Sequence, residues 1–387
     1  MRSHVTNLFR IGFLVIFLLA GASIASASEA PNIRLLRVPN GGIQPQVLVG
    51  SEGKVHMVYF AGHPMQGDIY YVASADGGET FSEPLRVNSQ EGSASISISF
   101  DLGKDDRVHV AWNGSPIAEP KALTDSTPLL YSRLNDDGSA FEPQRNVIRE
   151  HPHLDGGSSV SADDQGNVYV VWHAPEKGGH GEEGRVIWVS RSGDEGKTFE
   201  TESNALPQST GACACCALQS YTDQAGTLYV MYRMAWKVTT RDMQMLMSKD
   251  QGKTFTNAKI DPWEIGQCMM STSSMAQQDQ DVYAAWETKN QVYFGRLDSK
   301  TGEVAAPIAA PDKPKMRKHP HLVTGTDGAM LLVWTEGLFW GRGGTLAWQI
   351  FDADGTPMLE ENGGQAGVPA YSTVAAFASP DGFTIVY

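Results

Sequence analysis

The sequence predicts an all-β propeller, a closed ring of four-stranded antiparallel blades. Three observations support this fold class. A strand-pair unit recurs along the chain, aromatic residues close the units at intervals of 48 to 60 residues, and helical spacing of apolar residues is nearly absent. Short alternating strands joined by Gly- and Asp-rich turns at such a period are typical of propeller blades.

The repeated unit is a short apolar run, a turn containing Gly or Asp, and an alternating strand that ends in an aromatic residue. A third strand and usually a weak fourth follow each pair. We count seven units and therefore predict seven blades, with a six-bladed ring and an extra hairpin as the alternative. The closing aromatics, which we expect to pack between blades, are Tyr59, Trp112, Trp172, Tyr232, Trp286, Trp334 and Tyr387.

The two ends of the chain predict how the ring closes. The last unit stops at Tyr387 without a third or fourth strand, and the N-terminal run "IRLLRVPN" resembles the fourth strand of a blade. An unpaired strand edge is an aggregation risk that closed rings avoid. We therefore expect residues 32–39 to pair beside residues 382–387.

Residues 1–27 have the pattern of a signal peptide. Arg2 and Arg10 precede an apolar run, which is followed by small residues that end in Ala25, Ser26 and Ala27. A membrane anchor is the alternative, but the run is short for a spanning helix. We expect cleavage after Ala27, a periplasmic or secreted protein without a membrane span, and one propeller domain over residues 28–387.

The charge of the mature chain excludes one class of partner. Without the leader, 30 − 2 = 28 basic residues face 44 acidic ones, a formal charge of 28 − 44 = −16. Nucleic acid is therefore a poor partner. A small-molecule ligand is compatible with this charge.

Three turns after third strands fit the pattern Ser-x-Asp-x-Gly-x-Thr-Phe. They span residues 74–81, 192–199 and 248–255, and residues 134–141 are a diverged copy. Asp can accept hydrogen bonds from the turn, and Gly can adopt a positive φ. The motif resembles the Asp box, or BNR repeat, of the sialidase (neuraminidase) superfamily. The resemblance implies a sialidase-like propeller whose boxes are structural and face away from the active site.

The unusual residues of the chain fall where inner strands begin and second strands end. In a propeller both positions lie at one mouth of the central channel, where ligands usually bind. The strand-start segments are residues 149–157, 211–218, 266–273, 316–323 and 369–374, and the second-strand ends are His173, Arg233, Glu287 and Glu336.

The sialidase resemblance extends to several of these residues. It implies that Tyr371 is the nucleophile and that Arg233 and Arg317 belong to a carboxylate-binding set, with Glu287 or Asp155 as the acid. Two features depart from the family pattern. The family's first-blade Arg-Ile-Pro motif is matched only by "GIQPQV", in which Ile43 and Gln44 precede Pro45 and the arginine is missing, and the activating glutamate falls close to Cys216. The resemblance therefore implies a divergent exo-glycosidase or a glycan-binding protein.

Four cysteines lie at the predicted mouth, and besides unpaired buried thiols two interpretations are open. In an exported protein they favour disulfides, for example between Cys213 or Cys215 and Cys268. The alternative is a soft-metal or redox site, for which copper is the metal favoured by thiolate, thioether and imidazole ligands. Its candidate ligands are Cys213, Cys215, Cys216, Cys268, Met269, His151, His153, His319 and His321.

Overall fold

The computed structural model describes Met1 and residues 31–267, 269–339, 341–358 and 363–387. Pro31–Tyr387 forms one compact unit. The predicted signal peptide lies, apart from Met1, outside the described residues, so export stays a prediction. Within the described ranges, no helix has the length and apolar character needed to cross a bilayer.

The described part of the chain is almost purely β. Its strands begin with β1 (Asn32–Leu36), β2 (Ile43–Val49), β3 (Val55–His63), β4 (Gln66–Ser74), β5 (Leu85–Arg86), β6 (Ala94–Leu102), β7 (Val108–Gly114), β8 (Leu129–Arg133) and β9 (Arg145–Asn146). The middle strands are β10 (Ser158–Ala162), β11 (Val168–Pro175), β12 (Arg185–Ser192), β13 (Ser203–Asn204), β14 (Gln219–Thr222), β15 (Leu228–Arg233), β16 (Met243–Ser248) and β17 (Thr256–Asp261).

The C-terminal strands are β18 (Ser274–Gln278), β19 (Asp281–Thr288), β20 (Gln291–Arg296), β21 (Ile308–Ala309), β22 (Arg317–Thr324), β23 (Met330–Glu336), β24 (Gly344–Phe351), β25 (Gly363–Val368), β26 (Ala375–Ser379) and β27 (Gly382–Val386). The described helices are single 3-10 turns at Pro39–Gly41, Ser51–Gly53, Lys104–Asp106 and Leu123–Asp125.

The strands form seven blades, as the repeat count predicts. Strands β10–β13, β14–β17, β18–β21 and β22–β25 are four separate four-stranded antiparallel sheets. Strands β2–β5 and β6–β9 form two further blades, which one bridge between Gly67 and Ala94 joins into a single sheet. Strands β26, β27 and β1 form the seventh. The all-β propeller prediction is confirmed.

The N-terminal strand closes the ring at the predicted place. β1 pairs with β27 from Asn32 opposite Gly382 to Leu36 opposite Val386. The pairing is parallel, and β1 is the third strand of this blade, directly beside β27, not a fourth as its sequence suggests. A Cβ at Gly382, whose φ is +141°, would lie 2.2 Å from the Asn32 carbonyl oxygen, so glycine allows this close approach.

The innermost strands surround a central channel. The contacts run in a cycle through β2, β6, β10, β14, β18, β22 and β26 and return to β2. The channel is lined by residues from all seven blades. The closing tryptophans, Trp112, Trp172, Trp286 and Trp334, are fully buried in the apolar layers between blades.

The three Asp-box turns lie at the ends of their blades opposite the channel mouth, because each follows the third strand. In the first, the Ser74 hydroxyl donates to Asp76 (2.6 Å) and accepts from the Gly78 amide (2.8 Å), and the Thr80 amide donates to Asp76 (2.9 Å). Residues 192–199 and 248–255 repeat this pattern. Each box therefore satisfies its own polar groups.

The aromatic residue of a box links neighbouring blades. The Phe199 ring packs edge-on against Tyr131 of the preceding blade, with ring centroids 4.8 Å apart. Phe141 of the diverged copy contacts Tyr71 in the same manner at 5.8 Å. The boxes thus stabilise the ring at blade boundaries and lie away from the channel mouth.

Candidate functional site

The inner strands begin with backbone irregularities at the channel mouth. The pairing register shifts between Ile43 and Gln46, between Ala94 and Ile98, and between Lys318 and His321. Such bulges re-aim side chains and are frequent beside functional sites. At the mouth end of six of the seven inner strands stands a residue with positive φ: Gln44 (53°), Ser97 (87°), Gly157 (131°), Met270 (44°), His319 (53°) and Tyr371 (61°).

This strained ring is a feature that the sequence did not reveal. A residue other than glycine in the left-handed region costs roughly 1–2 kcal/mol, and such residues concentrate at binding and catalytic sites. Apart from Gly157, the residue types in the ring carry no sequence signal for a positive φ. The conformation is imposed by packing among the blades, which only the folded ring supplies.

A cavity opens at this mouth above the channel. Its wall combines hydroxyl and amide groups with two aromatic rings, Tyr371 and Phe339, and with the cationic side chain of Lys318. None of the described lining residues carries a carboxylate. The lining residues are Gln44, Ser97, Gly156, Cys215, Ala217, Met270, Ser271, Thr272, Lys318, His319, Leu338, Phe339, Tyr371, Ser372 and Thr373.

Gln44 joins three blades at the cavity wall. Its side-chain nitrogen donates to the Tyr371 carbonyl (3.0 Å), and its side-chain oxygen accepts from the Ser97 amide (2.9 Å). Its own amide donates to the Ser372 hydroxyl (3.0 Å). Gln44 therefore fixes the position of the segment that carries Tyr371.

Among the candidate catalytic residues, Tyr371 lines the cavity and the two arginines do not. The Arg233 guanidinium is buried over Trp263, with its carbon 5.0 Å from the ring centroid, and donates to the carbonyls of Arg241 (2.8 Å) and Glu287. The Arg233 guanidinium therefore connects the backbones of two neighbouring blades.

Arg317 is fully buried as well. Its Nε donates to Glu336 at 2.9 Å, and one terminal nitrogen donates to the side chain of Gln291 at 3.0 Å. Asp155 is exposed and lies in a different depression, which it shares with His153 and Arg185.

Glu287 is buried behind the cavity, and its carboxyl is poorly solvated. One oxygen accepts from the Asn290 amide at 3.1 Å, and the other lies 3.9 Å from the Arg233 guanidinium and has no hydrogen-bond partner among the described residues. Burial raises the pKa of Glu287 to about 7, although Arg233 opposes the change. The carboxyl is therefore protonated in a large fraction of molecules near neutral pH.

Lys318 contributes a cationic side chain to the cavity wall. Its ammonium group donates to the Met269 carbonyl and lies 5.7 Å from the Phe339 ring centroid. Burial lowers the pKa of Lys318, and Glu287 and Cys216 oppose that effect. A positive group thus faces the aromatic edge of the cavity.

The cysteine segment lies beside the cavity, as predicted. The sulfur atoms of Cys213, Cys215 and Cys216 lie within 4.8 Å of one another. Cys213 and Cys216 are buried free thiols, whereas Cys215 is half-buried at the cavity wall. Cys268 lies outside the described residues, so a cross-link to it stays a prediction.

The other candidate metal ligands do not join the three sulfurs. His319 lines the cavity, and His321 lies in the channel with Nε2 3.3 Å from the Ala376 carbonyl. The His151 ring stacks on Trp188 at 3.5 Å, and His153 is exposed in the depression that contains Asp155.

The buried sulfur of Met269 accepts a hydrogen bond from its neighbour Gln267. Of the candidate ligands that are described, the fold therefore gathers only the three cysteines into one cluster.

Comparison with known proteins defines the fold. No protein-family model and no curated protein sequence matches the chain. Among solved structures, a protein of unknown function from Dyadobacter fermentans is 15% identical with a TM-score of 0.56, covering 83% of this chain and 97% of its own. The α-L-arabinanase of Penicillium chrysogenum, complexed with arabinobiose, is 12% identical with a TM-score of 0.53, covering 82% and 95%.

A sialidase of Trypanosoma rangeli, complexed with the inhibitor DANA, is 11% identical with a TM-score of 0.52, covering 80% of this chain and 56% of its own. The fold is that of a sialidase-like propeller. At these identities the similarity establishes the architecture, which sialidases share with arabinan-degrading enzymes. This chain has that architecture, and the residues at its channel mouth are those described above.

Proposed function

We propose that this chain is a glycan-directed propeller protein and that its ligand is a saccharide bound in the mouth cavity. The observation that carries the proposal is the composition of the cavity wall. Ser97, Thr272 and Ser372 line the same space as Tyr371 and Phe339. Saccharides bind through hydrogen bonds to their hydroxyls and through packing of their C–H faces on aromatic rings.

The printed ligands of the structural neighbours support the same class of ligand. The Penicillium chrysogenum arabinanase is complexed with arabinobiose, and the Fusarium graminearum α-L-arabinofuranosidase, 12% identical with a TM-score of 0.52, is complexed with it too. We carry over only the class, a saccharide, because the identities are too low to carry over a substrate.

Binding is the activity that the geometry favours over hydrolysis. Glycoside hydrolysis requires an acid and a nucleophile or base at the scissile bond, usually two carboxylates. The described cavity wall offers the phenol of Tyr371 but no carboxylate, and Glu287 lies behind the wall. We therefore infer that the cavity recognises a glycan end, and we regard Tyr371 and Phe339 as its main contacts.

Calorimetric titration of the mature protein with arabinobiose and with sialyllactose tests the proposal. We expect saturable binding of at least one of the two. Phe339→Ala removes a stacking surface and should weaken that binding about threefold to tenfold, and Tyr371→Phe removes one hydroxyl and should weaken it by a similar factor. Ile117→Ala is the matched control, because Ile117 is as exposed as Phe339 (45% against 47%) and does not line the cavity.

Three outcomes contradict the proposal. The first is that neither saccharide binds at millimolar concentration. The second is that Ile117→Ala weakens binding as much as Phe339→Ala does. Turnover of a fluorogenic arabinoside or sialoside that Tyr371→Phe abolishes would replace binding by hydrolysis as the activity.

A further inference from the structure

A second depression lies beside the mouth cavity and has its own side chains. Its polar lining residues, which define what we call the Arg185 depression, are Asp125, Ser126, Thr127, His153, Asp155 and Arg185. None of them lines the cavity, whereas Gly156, the residue after Asp155, does. The Arg185 depression is therefore a neighbour of the cavity and a separate place for a ligand.

Arg185 is a buried cation with one donor group left over. The residue is 8% exposed. Its Nε donates to His173 Nδ1 at 2.9 Å, and its Nη2 donates to the carbonyls of His153 at 3.0 Å and of His173 at 3.1 Å. The other terminal nitrogen, Nη1, has no hydrogen-bond partner among the described residues, and the residue lines the depression. Nη1 is therefore available to a ligand there.

The charge of Arg185 has no anionic partner in direct contact. In the part of the chain that the structure describes, Arg185 belongs to no ion pair, and its hydrogen-bond acceptors are an imidazole and two carbonyls. A buried charge is costly unless a counter-charge and hydrogen bonds compensate it. A bound anionic group that accepts from Nη1 would supply the missing counter-charge.

Two carboxylates line the same depression and are available as well. Asp125 and Asp155 are both exposed. One oxygen of Asp155 accepts from the Gly156 amide at 2.8 Å, and the other has no hydrogen-bond partner within the described ranges. The Arg185 depression thus presents a cation and two anions that are not paired with one another.

The backbone between these charges is held in an unusual conformation. His153 has a φ of +71°, in the left-handed region. Its carbonyl accepts from Arg185, and its Nδ1 lies 3.3 Å from the Ser126 hydroxyl oxygen. Strained residues of this kind are frequent at ligand sites, which agrees with a ligand in the Arg185 depression.

We propose that the Arg185 depression binds a small zwitterion, an α-amino acid, whose carboxylate accepts from Arg185 Nη1 and whose ammonium group donates to Asp155. Arg185 and Asp155 line one space without pairing, so a molecule that carries both charges on neighbouring atoms can lie between them. Ser126 and Thr127 can add hydrogen bonds from their hydroxyl groups. This binding goes beyond the proposed recognition of a glycan and does not depend on it.

Three small probes, titrated into the mature protein, test the proposal. L-alanine carries both charges, propionate lacks the ammonium group, and ethylamine lacks the carboxylate. Saturation-transfer NMR in a buffer without zwitterions gives a dissociation constant for each probe. We expect L-alanine to bind saturably at millimolar concentration. Propionate and ethylamine should bind roughly tenfold more weakly, because each lacks one charged hydrogen bond.

One exposed substitution locates the ammonium group. Asp155→Asn should weaken the binding of L-alanine roughly tenfold and should not weaken that of propionate, so the difference between the two probes disappears. Asp164→Asn is the matched control, because Asp164 is an exposed acid at the other end of β10 and does not line the depression. The difference between the probes should persist in that variant.

A substitution of the buried cation locates the carboxylate. Arg185→Lys keeps the charge but loses the fork of donors, so we expect L-alanine and propionate to bind roughly tenfold more weakly than to the unsubstituted protein. Urea denaturation shows whether this variant is folded. The unsubstituted protein and Asp155→Asn decide the question even if Arg185→Lys fails to fold.

Four results overturn the proposal. The first is that L-alanine does not bind at millimolar concentration. The second is that propionate or ethylamine binds as tightly as L-alanine, which would identify a site for anions alone or for cations alone. The third is that the difference between L-alanine and propionate persists in Asp155→Asn or disappears in Asp164→Asn. The fourth is that a folded Arg185→Lys variant binds L-alanine as tightly as the unsubstituted protein. No saccharide is present in these measurements, so their outcome is separate from that of the glycan titrations.

Discussion

The two ends of the propeller differ in how far their residues repeat from blade to blade. At the Asp-box end, three turns of nearly identical sequence bond internally, and a Phe of each box packs toward the neighbouring blade. At the mouth, the residues differ from blade to blade, several of them in strained backbone conformations, with a buried carboxyl, a buried lysine and two buried free thiols nearby. The repeated boxes stabilise the ring at one end. At the other end, the residues do not repeat and can therefore supply the varied groups that a functional site needs.

The strongest test of this contrast is at the box glycines. Gly196 and Gly138 occupy the same box position with φ near +75° and +72°, but a Cβ at Gly196 would lie 1.9 Å from the buried Tyr131 hydroxyl, whereas one at Gly138 meets nothing within 4 Å. Both alanine variants bear the left-handed strain of roughly 1 kcal/mol, and only Gly196→Ala must displace Tyr131.

We expect Gly196→Ala to lower the free energy of unfolding by about 2–4 kcal/mol and Gly138→Ala by about 1 kcal/mol, as measured by urea denaturation. Equal losses in the two variants would mean that the contact between box and neighbouring blade does not stabilise the ring.

A smaller effect, of opposite sign at the two ends, is expected in the pH dependence of stability. Burial raises the pKa of Glu287 from 4.5 to about 7, so its stabilising contribution is complete below pH 4.5 and is lost as the pH rises through 7. Thr254, through its hydroxyl and amide, lowers the pKa of Asp250 from 3.8 to about 2, so that contribution is present above pH 3.8 and is lost toward pH 2.

Denaturation of Glu287→Gln and Asp250→Asn across pH 2.5–8.5 measures both effects. Relative to the unsubstituted protein, Glu287→Gln should gain on the order of 2 kcal/mol between pH 5 and pH 8. Asp250→Asn should lose stability between pH 2.5 and pH 5. Parallel stability curves for Glu287→Gln and the unsubstituted protein would show that this carboxyl ionises normally, in spite of its burial.

The smallest effect is expected from an exposed ion pair at the box end. Arg34 of β1 pairs with Glu79, which is 72% exposed, and Arg34 also bonds to the Gly77 carbonyl and the Thr384 hydroxyl. Glu79→Gln should lower the free energy of unfolding by less than about 1 kcal/mol, and 0.5 M salt should abolish the difference. A larger loss that persists in salt would mean that charge pairing, beyond the bonds internal to the box, holds β1 in place.

The sequence by itself determined the architecture of this protein. Period-two alternation and the turn residues are local properties, so seven strand pairs and three boxes could be counted from the chain. The pairing of β1 with β27 followed from the incomplete last unit. The gathering of Cys213, Cys215 and Cys216 near the mouth followed from their place at the start of an inner strand.

Tertiary structure alone decided which side chains face the cavity. A bulge of one residue changes the face to which a strand side chain points, and the bulges beside Gln44, Ser97 and His319 depend on contacts between blades that no local pattern encodes. For the same reason Arg233 and Arg317, which stand at strand ends in the sequence, are held by neighbouring carbonyl and carboxyl groups and do not reach the cavity. The direction of a side chain at the mouth is set by long-range packing, whereas the strand that carries it is set by its own residues.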